Sequence, residues 1–403
     1  MTDDIDSTST ARLAFAQSEW EFPSGVTFLN HGSFGPTPRT VLAVRERFLR
    51  EHAANPVDFY LRKLEPLLEE TADEVARFVG SSSDQLIFLP NATAGMNIVA
   101  ANVSLSTGDE VLLTDHEYGA VMRLWGQVCQ RAGAKAVLAR LPFPLSSPQE
   151  MIERLFESVT ARTKLLVVSH ITSPTAVLFP IQEICERARA QGLMVAVDGP
   201  HALAVQPLQL RTLPCDFYMV SGHKWLSGPF GSGFLHVRPR HKQGLRPTLV
   251  SWGRSLVGHA PNWKDEFHWP GTFDPTPHLS LPTAIQLLKN YGLERFRTET
   301  HQLCAAARKR LLQIPGTLPL TADSPDWYSS MVSIQLPLKD EQSISVQSHP
   351  LQKWLWETHR IEVPVIRWRD RSHLRISCHL YNSLPQYERL AEAVEEWLEN
   401  RPE

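Results

Sequence analysis

Two spacings of apolar residues divide the chain. In Thr40–His52 they fall at 41, 44, 48 and 49, and in Leu64–Val79 at 64, 67, 68, 72, 75 and 79. A recurrence every three or four positions gives a helix one buried stripe, so both segments read as amphipathic helices packed on something larger. From Gln85 the pattern shortens to apolar runs of strand length: Leu86–Leu89, Val111–Thr114, Lys135–Arg140, Leu165–Ser169, Met194–Val197, Phe217–Val220 and Gly233–Val237. Helical stretches (Ala94–Asn102, Ala120–Arg131, Gln149–Val159, Ile181–Gln191) separate most of them. Strand–helix alternation implies right-handed crossovers and a twisted, mostly parallel seven-stranded sheet with helices on both faces, an α/β fold. The last run follows its predecessor without a helix, which permits an antiparallel strand.

Beyond residue 240 the chain is irregular and rich in Trp, Pro and His. A long helical pattern from Leu281 to Leu312, with a break at Gly292, leads into a second α+β region. That region holds strands at Met331–Gln335, Val363–Ile366 and His373–Ser377 and helices at Pro350–His359 and Leu384–Trp397. The expected organisation is an N-terminal arm (1–38) whose first 20 residues read as a frayed leader, a large domain (39–285) and a small C-terminal α+β domain (286–403).

Composition narrows the function classes. Of 403 residues 42% are hydrophobic and 21% charged, and the net charge is −3, with no electrostatic reason to bind nucleic acid or an acidic membrane. The five cysteines (129, 185, 215, 304, 378) are scattered without a C-x-x-C pair, which argues against a disulfide framework or a zinc site and fits a reducing compartment. An acidic, Ser/Thr-rich N-terminus is unlike a signal peptide, and no apolar run reaches membrane-spanning length. The expected setting is cytoplasmic, with no metal and no membrane partner.

The candidate chemistry lies at strand ends, where open α/β sheets gather their ligands. Val195-Ala196-Val197 ends on Asp198, and 26 positions later Ser221-Gly222-His223-Lys224 follows the run Phe217–Val220. A buried Asp is costly without a positive partner. A desolvated Lys loses its proton readily and can form a Schiff base. An Asp for a pyridinium nitrogen and a Lys for an aldehyde are together what pyridoxal 5'-phosphate (PLP) requires. At the first strand, Pro90-Asn91-Ala92-Thr93-Ala94-Gly95 leads into a helix with Thr93 as its expected N-cap, a cradle for phosphate at Ala92 and Thr93. It is neither a P-loop nor a dinucleotide fingerprint, which disfavours a nicotinamide dehydrogenase. Asn30 and His31, in a Gly/Pro turn cluster, and Tyr60 and Arg62, in a break between helices, are candidates for reaching a ligand.

With these residues assembled, the chain resembles fold-type I PLP enzymes of the class V aminotransferase and cysteine desulfurase group, within it the isopenicillin N epimerase-like branch. The resemblance runs from Leu29 to Asn382 and implies an aspartate aminotransferase-like large domain. It implies Lys224 as the imine-forming lysine and Asp198 as partner of the pyridine nitrogen. It further implies His201, where relatives usually have Gln, near the ring's phenolic oxygen, and Ser221, His223 and Thr93 at the phosphate. His116 matches the residue that stacks on the ring, with Tyr118 as the alternative. Gly271 and Thr272 resemble a segment reaching the neighbouring subunit's phosphate, which implies a homodimer. Arg375 matches the arginine that clamps the α-carboxylate of an amino-acid substrate. Two departures stand out: Ser173-Pro174 replaces an Asn common in relatives, and the desulfurase cysteine is absent from His359–Pro364. The reaction implied is epimerisation at Cα, for which His31, Tyr60, Arg62 and His201 are candidates for a second acid/base opposite Lys224. The alternatives are a C–S β-elimination lyase, a class V aminotransferase and, from another class, a non-catalytic binding protein on the same fold.

Overall fold

The computed structural model describes residues 2–339 and 349–400; residues 340–348 and 401–403 of the expected small domain lie outside the described residues. The chain opens with helix α1 (Thr2–Glu19), in the segment read from sequence as a frayed leader. Its Ser/Thr- and acid-rich sequence carries no apolar stripe, and its C-terminal part makes tertiary contacts. Ala16 and Trp20 are buried, and Arg12 donates to the Asn382 carbonyl at 3.0 Å. Helices α2 (Arg39–Ala54) and α3 (Leu64–Phe78) follow.

The large sheet is seven-stranded, as expected. Its strands are β1 (Leu86–Leu89), β2 (Glu110–Thr114), β3 (Lys135–Ala139), β4 (Thr163–Ser169), β5 (Met194–Asp198), β6 (Phe217–Ser221) and β7 (Gly233–Val237). They lie in the order β1-β7-β6-β5-β4-β2-β3, and β7 is antiparallel to both neighbours while the other pairs are parallel. Helices α4 (Ala92–Asn102), α5 (Gly119–Ala132), α6 (Pro148–Glu157) and α7 (Ile181–Ala190) connect the strands. The central strands carry apolar residues on both faces because both faces are covered. In β4, Leu166 and Val168 join one buried cluster while Leu165 and Val167 join the other, and in β5 Val195 and Val197 face opposite to Ala196.

The expected break in the long helix falls at Gly292, whose φ of 99° no other residue adopts readily. It separates α8 (Leu281–Tyr291) from α9 (Leu293–Leu311). A four-stranded antiparallel sheet follows, from β8 (Leu318–Pro319), β9 (Met331–Lys339), β10 (Val365–Trp368) and β11 (Arg371–Ser377), in the order β10-β11-β9-β8. Helices α10 (Pro350–His359) and α11 (Leu384–Asn400) complete this layer. The N-terminal segment is tied to it: Thr27–Phe28 pairs in parallel with Ile361–Glu362, and the Ser377 amide donates to the Leu29 carbonyl at 3.0 Å. No described helix is long and apolar enough to cross a membrane.

Candidate active site

The carboxyl ends of β4, β5 and β6 converge. Asp198 closes β5 in register with Ser169 and Met219. After β6 the chain knots into a short loop, in which the Gly222 amide donates to Ser232 O at 2.7 Å and the Gly228 amide to Gly222 O at 2.9 Å. A Cβ on Gly222 would sit 2.8 Å from the Leu281 and Ser232 side chains, so the loop needs glycine there. This knot brings Lys224 to the β5 edge, where its Nζ lies 2.9 Å from His201 Nε2.

Electrostatics set the character of these groups. Burial lowers Lys224 from 10.5 to about 7, the Arg375 charge pushes the same way, and Asp198 opposes. Burial likewise raises Asp198 to about 6, against the pull of Lys224. Desolvation keeps the neighbouring imidazoles neutral: His201 well below its usual value and His223 at about 4. The result is a lysine amine available without its proton near neutrality, beside a carboxylate that a positive ring nitrogen would stabilise.

An anion cradle lies beside them. The cap of α4 is Asn91, not Thr93: Asn91 Oδ1 accepts from the Ala94 amide at 3.0 Å. Asparagine ranks above threonine at this position, and the cap moves Thr93 into the first turn, where its amide has no carbonyl inside the helix to bind. Ser221 Oγ accepts from the Ala92 amide at 3.0 Å, which ties the end of β6 to the helix N-terminus. The Nδ1 atoms of His201 and His223 and the Nε of Arg375 are buried without a hydrogen-bond partner. Buried polar atoms of this kind beside a helix N-terminus, an Asp and a Lys fit a phosphorylated pyridine aldehyde. Ser221, His223 and the first turn of α4 would hold its phosphate, Asp198 its ring nitrogen and Lys224 its aldehyde carbon.

Arg375, on β11, reaches the same edge. It is buried, and its Nη1 donates to Ser173 O at 2.5 Å and to Ser173 Oγ at 3.2 Å, while Nη2 donates to Ser33 Oγ at 2.6 Å. Burial lowers it to about 10, so it stays charged at neutral pH. Ser173, which stands where relatives commonly carry an Asn, is thus hydrogen-bonded to the arginine.

His116 and Tyr118, the two residues expected at the ring face, differ in burial. His116 is buried: Nδ1 is 2.7 Å from Thr175 Oγ1, and the ring packs against Trp368 at 4.6 Å and Phe179 at 5.8 Å. Tyr118, two residues on, is 48% exposed and lies within electrostatic reach of Arg375. Between them Glu117 is bound by the Thr114 and Ser169 hydroxyls, each at 2.6 Å, and burial raises it to about 7. This anchoring turns His116 inward and leaves Tyr118 half-exposed.

The remaining candidates have these surroundings within the chain. His31 is fully buried and both its ring nitrogens are engaged, Nδ1 with Tyr381 OH at 2.7 Å and Nε2 with the Lys224 carbonyl at 3.0 Å. Asn30 is buried, with its Nδ2 3.5 Å from Glu362. Tyr60 donates to Phe273 O at 2.5 Å and meets Trp269 edge-on, so it braces the 269–274 segment. Arg62 is exposed and paired with Asp58 at 3.0 Å. Gly271, at φ 110°, and exposed Thr272 belong to the segment that Tyr60 braces. Ser33, Glu117 and Tyr381 were missed by the sequence reading. Only Ser33 carried a signal, through its place in the Gly32–Gly35 turn; the other two are revealed by contacts distant in sequence.

The five cysteines are buried and free, and no cluster of metal-ligating side chains occurs among the described residues. The sequence profile described as aminotransferase class-V matches residues 28–390. The chain is 37% identical over 401 residues to isopenicillin N epimerase of Amycolatopsis lactamdurans, covering 95% of this chain and 98% of the relative. It is 35% identical over 399 residues to isopenicillin N epimerase of Streptomyces clavuligerus, covering 94% and 98%. Among solved structures, a mutant of C-DES with glycine covalently linked to its PLP cofactor superposes with a TM-score of 0.79, at 20% identity, over 93% of this chain and 97% of that one.

Proposed function

The chain belongs to the aminotransferase class-V family of PLP-dependent enzymes, and from that premise we propose that it is an epimerase acting at Cα of an L-amino acid or amino-acid derivative. The observation that carries the reading is the Lys224–Asp198–Arg375 group: a lysine lowered to about 7, a carboxylate raised to about 6 and a buried guanidinium at one sheet edge. The likeness to two isopenicillin N epimerases over nearly the whole chain supports the reaction type.

When bound, the cofactor supplies an electron sink for negative charge at Cα. The protein's own groups do the rest. Asp198 keeps the ring nitrogen positive, and Arg375 fixes the plane of the α-carboxylate with two N–H donors. Lys224, neutral near pH 7, takes the Cα proton. Ser221, His223 and the α4 N-terminus hold the phosphate. We assign Tyr118 rather than His116 to the exposed face of the ring, because Tyr118 is half-exposed and within electrostatic reach of Arg375 whereas His116 is buried. Inversion needs a second acid/base on the face opposite Lys224. Tyr118 fits that requirement better than His31, Tyr60 or Arg62, whose polar atoms are committed elsewhere, or His201, which touches Lys224 itself. We further propose a cytoplasmic homodimer. The exposed apolar residues Leu42 and Leu49 on α2 and the exposed Thr272 support a partner surface, and the buried free thiols suit a reducing compartment.

The test is a visible spectrum of the purified protein with PLP, borohydride reduction with peptide mapping, then a panel of L-amino acids in deuterated water. A yellow protein labelled at Lys224 that exchanges and inverts Cα supports the reading. Pyruvate release instead would make it a β-elimination lyase, and loss of the aldehyde form of the cofactor a transaminase. A colourless protein that takes up no PLP would overturn the assignment.

A further inference from the structure

The loop 30–35 grips the lysine from behind. Its Gly35 amide donates to the His223 carbonyl at 3.1 Å, and its His31 Nε2 meets the Lys224 carbonyl at 3.0 Å. That carbonyl also receives the Ser227 amide at 2.7 Å, from a residue held at φ 56°. A Cβ on Gly35 would stand 2.6 Å from His223 O and 2.7 Å from Lys224 O, so the two backbones are in direct contact.

The hydrogen-bond chemistry fixes one tautomer. A carbonyl only accepts, so His31 Nε2 carries the proton. Nδ1 is then a lone pair, and Tyr381 OH, 2.7 Å away, donates to it. Burial drives His31 down to about 3, so the ring stays neutral at working pH. It is also clamped flat, stacked on His379 with centroids 4.0 Å apart and planes 14° apart, and packed against Trp225, the residue after Lys224, at 5.2 Å. Tyr381 follows β11, the strand that carries Arg375, and the same 30–35 loop supplies Ser33 to that arginine.

We propose that His31 is a positioning residue for Lys224, holding the lysine by its backbone carbonyl in a neutral ring whose free Nδ1 lone pair is satisfied and oriented by Tyr381, so that the C-terminal layer sets where the amine stands. The proposal rests on Lys224 being the cofactor-bearing lysine. It makes His31 part of the scaffold of the reaction rather than a ligand contact, and it makes the Tyr381 hydroxyl matter for a lysine it does not touch.

The experiment uses the PLP-loaded protein and reads the pH midpoint of its visible absorbance in the wild type, His31→Ala, His31→Gln, Tyr381→Phe and His31→Ala/Tyr381→Phe. The expected shift in His31→Ala and Tyr381→Phe is about half a pH unit or more, the size of a fraction of one hydrogen bond at the lysine. His31→Gln, which keeps an N–H donor, should restore part of the shift, and the double variant should shift no further than His31→Ala. Midpoints that stay at the wild-type value, with only the melting temperature lowered, would overturn the proposal. Should His31→Ala fail to fold, Tyr381→Phe decides alone, because it removes one oxygen atom. A wild-type protein that borohydride does not label at Lys224 would instead overturn the cofactor reading and this proposal with it, so the two failures are told apart before any variant is made.

Discussion

Replacing Arg375 by lysine tests the carboxylate clamp with the charge kept and the fork removed. The guanidinium is buried, makes three hydrogen bonds through Nη1 and Nη2, and remains charged at neutral pH with its value at about 10. A substrate carboxylate would meet two parallel N–H groups on arginine and a single ammonium on lysine. One charge-assisted hydrogen bond is therefore lost, about 1.5–3 kcal/mol. At 1.4 kcal/mol per decade this weakens binding by about 10- to 100-fold. The assay follows the change in visible absorbance of the loaded enzyme as ligand is added, for an L-amino acid and for the amine that lacks its carboxylate. The amino acid's Kd should rise by the stated factor, and the amine's should stay within about twofold, because only the carboxylate sees the fork. Equal weakening of both ligands, or of neither, would refute the clamp. Binding of the cofactor serves as the control: Arg375 contacts Ser33 and Ser173, not the α4 cradle, so PLP affinity should be unchanged.

Three further outcomes follow from the same geometry. Lys224 sits at about 7 folded against 10.5 free, chiefly through burial, so between those values the unfolded chain holds a proton that the folded chain lacks. The stability of the cofactor-free protein should then rise with pH across that window and be lost as pH falls towards 7; melting curves of Lys224→Met should lack this rise, and an unchanged slope would contradict the shift. Asp198→Asn should still take up PLP yet lose turnover at Cα by roughly a hundredfold or more, the scale of removing a group that supports developing charge, and wild-type turnover would remove Asp198 from its role. Gly199→Ala places a Cβ 2.1 Å from the Tyr218 ring, next to Asp198; denaturant titration should find a loss of about 1–3 kcal/mol, and an undisturbed protein would contradict the packing.

What the sequence disclosed follows from what a one-dimensional pattern can hold. The seven strands were legible because β4, β5 and β6 are apolar on both faces, and a strand's end is a position along the chain. Asp198 and Lys224 could therefore be assigned to one edge from topology alone. Helix α1 was not legible: its amphipathic signal is missing, and its partners, such as the Asn382 carbonyl on Arg12, lie 370 residues away. The cap of α4 was misjudged by two residues although Asn91 was in view, because both Asn91 and Thr93 can accept an amide and only the backbone direction decides between them.

The harder distinction was direction. His116 and Tyr118 are separated by one residue in the turn after β2, and a turn has no period from which to read a side chain's heading. The deciding contact is Glu117, whose carboxyl is held by Thr114 from its own strand and Ser169 from the next. With Glu117 fixed inward, His116 goes to Thr175 and Trp368, and Tyr118 is left outside. The same reasoning explains His31, which a sequence reading takes for a ligand contact because polar groups in glycine turns often are. It is instead consumed by a carbonyl and a phenol from segments 193 and 350 residues away. Candidates for acting on the cofactor could thus be named from chemistry and position, whereas the groups that contact Lys224 and Arg375 from distant segments depend on contacts that exist only once the two sheets have met. Variation in substrate choice among relatives of this fold should accordingly be sought around the half-exposed Tyr118, while changes at His31, Ser33 or Tyr381 should disturb catalysis for every substrate alike.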